Sequence, residues 1–225
     1  MFASLSPITQ ETLGNIHPRA RRSVFWELDP ETAAKVTDKG DPAFEKEAWL
    51  TTTLLNYGCC GFSIGGSTRV DGTHRRAVAT VLYCGRDDAP GTVNMPTAPV
   101  SDDAEVLTSL FIDPGFTGLG LEAVLVDASI MELVQKDASA VEAFGRREDF
   151  PANAEDEEAL GPEIRSILDR AEDIGLLSVA TLESAGFQVV ADHPVLPRLR
   201  LELPPQQHLL SAEAVELLLA ETSAC

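Results

Sequence analysis

Phe111-Ile112-Asp113-Pro114-Gly115-Phe116-Thr117-Gly118-Leu119-Gly120-Leu121-Glu122 follows an apolar run and precedes an amphipathic one. That order reads as strand, glycine-rich turn, helix N-terminus. Such a turn aims several peptide N–H groups at one point. The helix dipole adds partial positive charge there, so the point suits a phosphate or diphosphate.

Working outward, residues 104–112 are apolar except for Glu105, Thr108 and Ser109, as in a strand buried on both faces. Residues 119–134 place Leu121, Val124, Leu125, Ala128, Leu133 and Val134 on one helical stripe. Residues 138–144 form the next apolar strand, broken by Ser139 and Glu142. Strand, helix, strand without a hairpin turn predicts a right-handed parallel crossover. The turn then lies at the carboxyl end of a parallel strand, where α/β sheets bind ligands. Upstream, 59–64 and 76–84 predict an antiparallel hairpin across Val70-Asp71-Gly72-Thr73, and 85–100 a proline-rich loop. Asp41-Pro42 opens a helix that Gly58 ends, with Phe44, Ala48, Leu50, Leu54 and Leu55 on its apolar face. Residues 21–28 predict a first strand closed by Asp29-Pro30, and 1–20 a loose leader. Downstream, 146–172 reads as an acidic, solvated insertion with one short helix at Ile164, Ile167 and Leu168. A helix over 175–184 ends at Gly186, strands follow at 187–190 and 199–203, and 204–225 is an extension. Its helix, 211–221, docks through Leu217 and Leu218.

The 225 residues favour one domain, here 21–203, with a sizeable core. No secretory signal or membrane-spanning stretch is visible, so a cytoplasmic location is expected. Seventeen Lys and Arg against 36 Asp and Glu give a net charge of −19. That argues against binding nucleic acid or anionic membrane. It leaves room for an anion held by a local N–H cradle, and it favours a cationic substrate such as an amine. Cys59, Cys60, Cys84 and Cys225 form no C-x-x-C pair. Vicinal cysteines alternate faces on a strand, so buried reduced thiols and no metal are expected. No Walker lysine follows Gly118-Leu119-Gly120, which disfavours a nucleotide-binding P-loop.

The stretch 112–122 resembles the core motif of the GNAT superfamily of acyl-CoA-dependent N-acyltransferases, R/Q-x-x-G-x-G/A at a helix start. Pro114, Phe116, Gly118 and Gly120 match the longer pattern around that motif. Leu182-Glu183-Ser184-Ala185-Gly186-Phe187 resembles a second motif, L-Y-x-x-x-G-F. The likeness spans about residues 58–203. Thr117 replaces the motif's Arg or Gln, Glu122 its last small residue, and Leu182 the frequent tyrosine.

The resemblance implies an α/β fold: a mixed, mainly antiparallel sheet flanked by helices, with a central parallel pair around the cofactor. It implies acetyl-CoA as cosubstrate, no metal, and direct acyl transfer to an amine. Thr117, Gly118, Leu119, Gly120 and Leu121 would hold the diphosphate, and backbone groups of Leu110, Phe111 and Ile112 would pair with the pantetheine arm. Ser178 would donate to sulfur, or is a plain helical serine. Glu105, Glu142 and Tyr83 are the candidate catalytic groups, each with a second reading. Glu105 is otherwise an exposed carboxylate at a strand start, Glu142 an edge-exposed one, and Tyr83 ordinary strand packing. A non-catalytic GNAT-like module that binds CoA or a protein partner is the alternative function, and a homodimer is left open.

Overall fold

The computed structural model describes residues 3–66, 76–149, 160–206 and 209–222. Eight strands form one mixed sheet: β1 (Ala3–Pro7), β2 (Gly61–Gly66), β3 (Ala77–Cys84), β4 (Ala104–Ile112), β5 (Ala140–Arg146), β6 (Leu177–Ser178), β7 (Gln188–Ala191) and β8 (Arg198–Glu202). The order is β1-β2-β3-β4-β5-β8-β7, with β6 beside β5. The helices are α1 (Pro18–Arg22), α2 (Pro30–Lys39), α3 (Pro42–Tyr57), α4 (Leu121–Gln135), α5 (Pro162–Asp169), α6 (Val179–Ser184) and α7 (Ala212–Thr222).

Alternation along the strands divides the core. Ile64, Ala79, Val81 and Leu107 pack against Leu121, Val124 and Leu125 of α4. Leu82 and Phe111 face the other way and meet Leu50 and Leu54 of α3. A third group joins Trp26, Val106 and Phe144 to Ile167 and Ile174. Both faces of the centre are therefore covered, as near-continuous apolar strands require.

β4 and β5 run parallel, but they pair only from Ala104↔Ala140 to Val106↔Glu142. Beyond that they diverge. A bulge adds Thr108 to β4 between the pairs Tyr83↔Leu107 and Leu82↔Ser109, which bends the strand at the start of the fork. The segment 174–178 fills the wedge. Gly175 O accepts from Leu110 N at 2.8 Å, and Leu177 and Ser178 pair with Gly145 and Arg146. Trp26 Nε1 donates to Ile174 O at 2.8 Å.

Several expectations are corrected. The leader contains β1, which pairs antiparallel with β2 from Ala3↔Gly66 to Pro7↔Phe62. Residues 21–28 are not a strand: they end α1 and turn, and the apolar run is a buried loop around Trp26. Asp29 does not close a strand but caps α2, accepting from Thr32 N at 3.1 Å. The helix expected from Gly175 starts only at Val179, because 175–178 is the wedge. Leu160, Ile167, Ala171 and Ile174 are buried, so that part of the acidic insertion belongs to the core. On the amphipathic helices, Phe44, Leu55 and Leu217 are exposed, whereas Leu218 packs against Gly120. The expected hairpin turn at 70–73, His74, much of the insertion and Cys225 lie outside the described residues.

Candidate functional site

The glycine-rich stretch forms as read. Pro114–Phe116 makes a short 3-10 turn, and α4 starts at Leu121. Gly118 and Gly120 have φ of +80° and +77°, backbone that side chains with a Cβ rarely adopt. No side chain caps α4. Among the described residues, the N–H groups of Gly118, Leu119, Gly120, Leu121 and Glu122 meet no protein acceptor. A Cβ on Gly118 would meet nothing within 4 Å, so a ligand can approach the turn from that side. Glu122 lies in the first turn of α4, favourable to the helix dipole but unfavourable to an anion beside it.

Next to the turn is a cleft of about 310 Å³ that takes in Leu110, Phe111, Ile112, Thr117, Ser178 and Thr181. The fork thus joins most of the expected cofactor-binding positions. Two expected donors are already engaged. Leu110 N–H bonds Gly175, and the Ser178 hydroxyl caps α6 by accepting from Thr181 N at 3.0 Å. Leu182, at the expected tyrosine position, is fully buried against Gly145.

The end of β4 is locked by groups that the sequence reading missed. His17 Nδ1 accepts from Arg19 N at 3.2 Å, which makes Nε2 the donor to Asp113 Oδ1 at 2.9 Å. Asp113 also takes Arg76 on both oxygens, at 2.8 and 3.1 Å. The His17 ring stacks on Phe111 with centroids 5.9 Å apart. Burial holds the His17 pKa below its ordinary value, although Asp113 opposes this. No spacing in the sequence links residues 17, 76 and 113. Only the pairing of β3 with β4, and the packing of α1 on β4, brings them together.

The three candidate catalytic groups do not meet at the fork. Glu142 is fully buried and bonded to Arg198, to Arg200 at 3.3 Å and to Ser101 N at 3.1 Å. Burial works against its charge, but the bonds from Ser101 and Arg198 outweigh it and the pKa is lowered, not raised. Its edge-exposed reading fails too, because it sits in the centre of the sheet. Glu105 and Tyr83 line a different cleft, at the amino-terminal ends of β4 and β5. Glu105 is half-buried there, so it is not the exposed carboxylate of the second reading.

Among the described residues, no group of three or more His, Cys, Asp or Glu could hold a metal ion. No described helix is long and apolar enough to cross a membrane. Cys59, Cys60 and Cys84 are free and buried, and burial pushes the Cys60 thiol up to about 12.

Fold and fork together define a mixed α/β protein whose central parallel strands, β4 and β5, splay apart beside the glycine-rich turn. No family model and no curated protein matches the sequence. Many solved structures that resemble the chain are GNAT N-acetyltransferases. The PaiA N-acetyltransferase from Thermoplasma acidophilum, in complex with coenzyme A, is 10% identical, with 90% of this chain and 99% of that one covered and a TM-score of 0.49. An N-acetyltransferase from Staphylococcus aureus is 15% identical, with 90% and 99% covered and a TM-score of 0.48. A protein described as a GNAT-family acetyltransferase from Desulfovibrio desulfuricans is 11% identical, with 89% and 98% covered and a TM-score of 0.46. Similarity at this level concerns the fold alone.

Proposed function

We propose that the chain is an acyl-CoA-dependent N-acyltransferase that holds the donor's diphosphate at the 117–121 turn. The observation that carries this reading is the run of five N–H groups that meet no acceptor among the described residues, at the start of α4 and the carboxyl end of β4. A diphosphate satisfies such donors and gains from the dipole of a 15-residue helix. When bound, the donor supplies an acyl group on a thioester, which an amine attacks directly. The chain's own part is to fix the phosphates and aim the acyl arm into the fork. Acetyl-CoA is the expected donor, and the amine acceptor is unassigned.

The arm and the 174–178 wedge claim the same space, so on this reading the wedge withdraws when the donor enters. A second reading is favoured by that wedge and by Leu182: a module that binds CoA or a protein partner without catalysis. Calorimetric titration with acetyl-CoA, followed by a thiol-release assay over amines, separates the two. Saturable binding that Gly118→Val removes, with thiol release, supports the transferase. Binding without thiol release across small amines, peptides and aminoglycosides supports the module. Absence of binding overturns the transferase and leaves a module that binds a protein partner.

A further inference from the structure

The glycine-rich turn has one open side and one closed side. A Cβ at Gly118 would meet nothing within 4 Å, whereas a Cβ at Gly120 would meet Leu218 Cδ2 at 3.1 Å, Cδ1 at 3.5 Å and Cγ at 3.9 Å. Leu218 belongs to α7, in the extension that follows the last strand of the sheet. α7 is tied to α4 at a second point, where Asp127 Oδ2 accepts from Leu210 N at 2.7 Å. Gly120 and Asp127 are seven residues apart, about 10 Å along a helix. Leu210 meets the far point and Leu218 the near one, so the extension runs antiparallel to the first half of α4.

Gly120 is the N-cap of α4, with φ +77° and ψ 12°, and no side chain caps the helix. Its two dihedrals set where the neighbouring peptide N–H groups point. Glycine is the residue least able to hold one conformation by itself, so the cap depends on what packs against it. Phe116 and Leu119 anchor the preceding part of the turn, partly buried against the core under α4. Leu218 bears on Gly120 itself. A turn already held in its binding geometry avoids the cost of being ordered by the ligand. α7 has 11 residues, too few to persist as an isolated helix, so it forms by docking on β1 and α4.

We propose, resting on the acyl-CoA reading of the turn, that Leu218 is a positioning residue and α7 a buttress whose docking sets the affinity of the turn for a diphosphate. Leu218 acts through the backbone of Gly120, not on the donor. By linkage, a diphosphate bound at the turn holds α7 in place as strongly as docked α7 favours the diphosphate.

Calorimetric titration of the full chain with acetyl-CoA and with inorganic pyrophosphate tests it. Point variants serve better than truncation, which also removes the carboxylates of Glu213, Glu216 and Glu221 that oppose an anion. Leu218→Ala should weaken both ligands on the order of fivefold. Leu218→Met, which keeps the volume, should return both to the parent affinity. Leu217→Ala, at a neighbouring side chain that is 63% exposed, should change nothing. Saturating acetyl-CoA should slow amide exchange over 212–219 in the parent chain and not in Leu218→Ala, a response that packing of α7 alone does not give. Asp127→Ala, which frees the other end of the extension, should also weaken binding, and it decides the matter where Leu218→Ala does not fold. Unchanged affinity in Leu218→Ala, equal loss in Leu217→Ala, or exchange in α7 that ignores bound acetyl-CoA overturns the buttress and leaves the acyl-CoA reading standing. Pyrophosphate binding that depends on Leu218, without acetyl-CoA binding, keeps the buttress and overturns that reading. A parent chain that binds neither ligand overturns both.

Discussion

Glu142 and His17 are buried titratable groups whose pKa values are both lowered, Glu142 by the bonds it accepts against the cost of burial and His17 by burial itself. Glu142 neutralises Arg198, itself only 13% exposed, and takes a second guanidinium from Arg200. Removing one member of such a pair leaves a buried charge without a partner. Glu142→Ala is therefore expected to lose about 3–5 kcal/mol of unfolding free energy in a denaturant titration. Because its folded pKa is lowered, the stabilisation is complete above the ordinary carboxylate value of 4.5 and is lost as pH falls through the folded value. His17 acts in the same direction, through burial of its ring. Its folded pKa lies below 6.5, so the folded chain binds fewer protons than the unfolded chain between the two values. Stability should therefore fall as pH drops from about 6.5 toward the folded pKa, and His17→Gln should flatten that limb of the curve. An unchanged slope in the variant would assign the limb to other groups.

At the scale of elements, the wedge depends on one glycine. Gly175 has φ +66°, and a Cβ there would lie 2.7 Å from Phe111 Cζ and 3.0 Å from Ser109 Cβ. Gly175→Ala adds a left-handed penalty of about 1–2 kcal/mol to that overlap, so the segment should leave the fork before the rest of the chain unfolds. Faster amide exchange over 172–178 is expected, together with tighter acetyl-CoA binding. Faster exchange at unchanged affinity would show that segment and ligand do not compete.

The wedge also marks what the sequence withheld. Residues 175–184 carry an ordinary helical pattern, and nothing local reveals that Leu177 and Ser178 pair with a strand more than thirty residues upstream. β1 is equally silent. Its ASLSP has no apolar run, because an edge strand bonded on one side needs none. Val24, Phe25 and Trp26 misled in the opposite sense, since burial in a loop looks like burial in a strand when only hydropathy is visible. By contrast β3, β4, α4 and β5 were legible, because each meets core on its own period and the turn between β4 and α4 needs positive φ at 118 and 120. Of the candidate site, the cradle was readable from local chemistry. The partners of Glu142 and His17 were not, because strand register and the packing of α1 on β4 set them.

For the whole molecule, the net charge of −19 bears on access to the turn. A field of that sign opposes the approach of a polyanionic acyl-CoA and favours that of an amine. The turn contributes only short-range N–H donors and a dipole, which salt screens less than it screens charges many ångströms away. The Debye length shrinks from about 30 Å at 0.01 M salt to about 8 Å at 0.15 M. Over that range the association rate of acetyl-CoA should rise, which stopped-flow measurements can read. Equilibrium gives an independent check at the turn. Acetyl-CoA at a hundredfold excess over its Kd adds about 2.7 kcal/mol to the folded state. For a chain of this size that raises Tm by roughly 5–10 °C. Gly118→Val should abolish the increase. If added salt left the acetyl-CoA rate unchanged or lowered it, long-range charge would not be governing access to the turn.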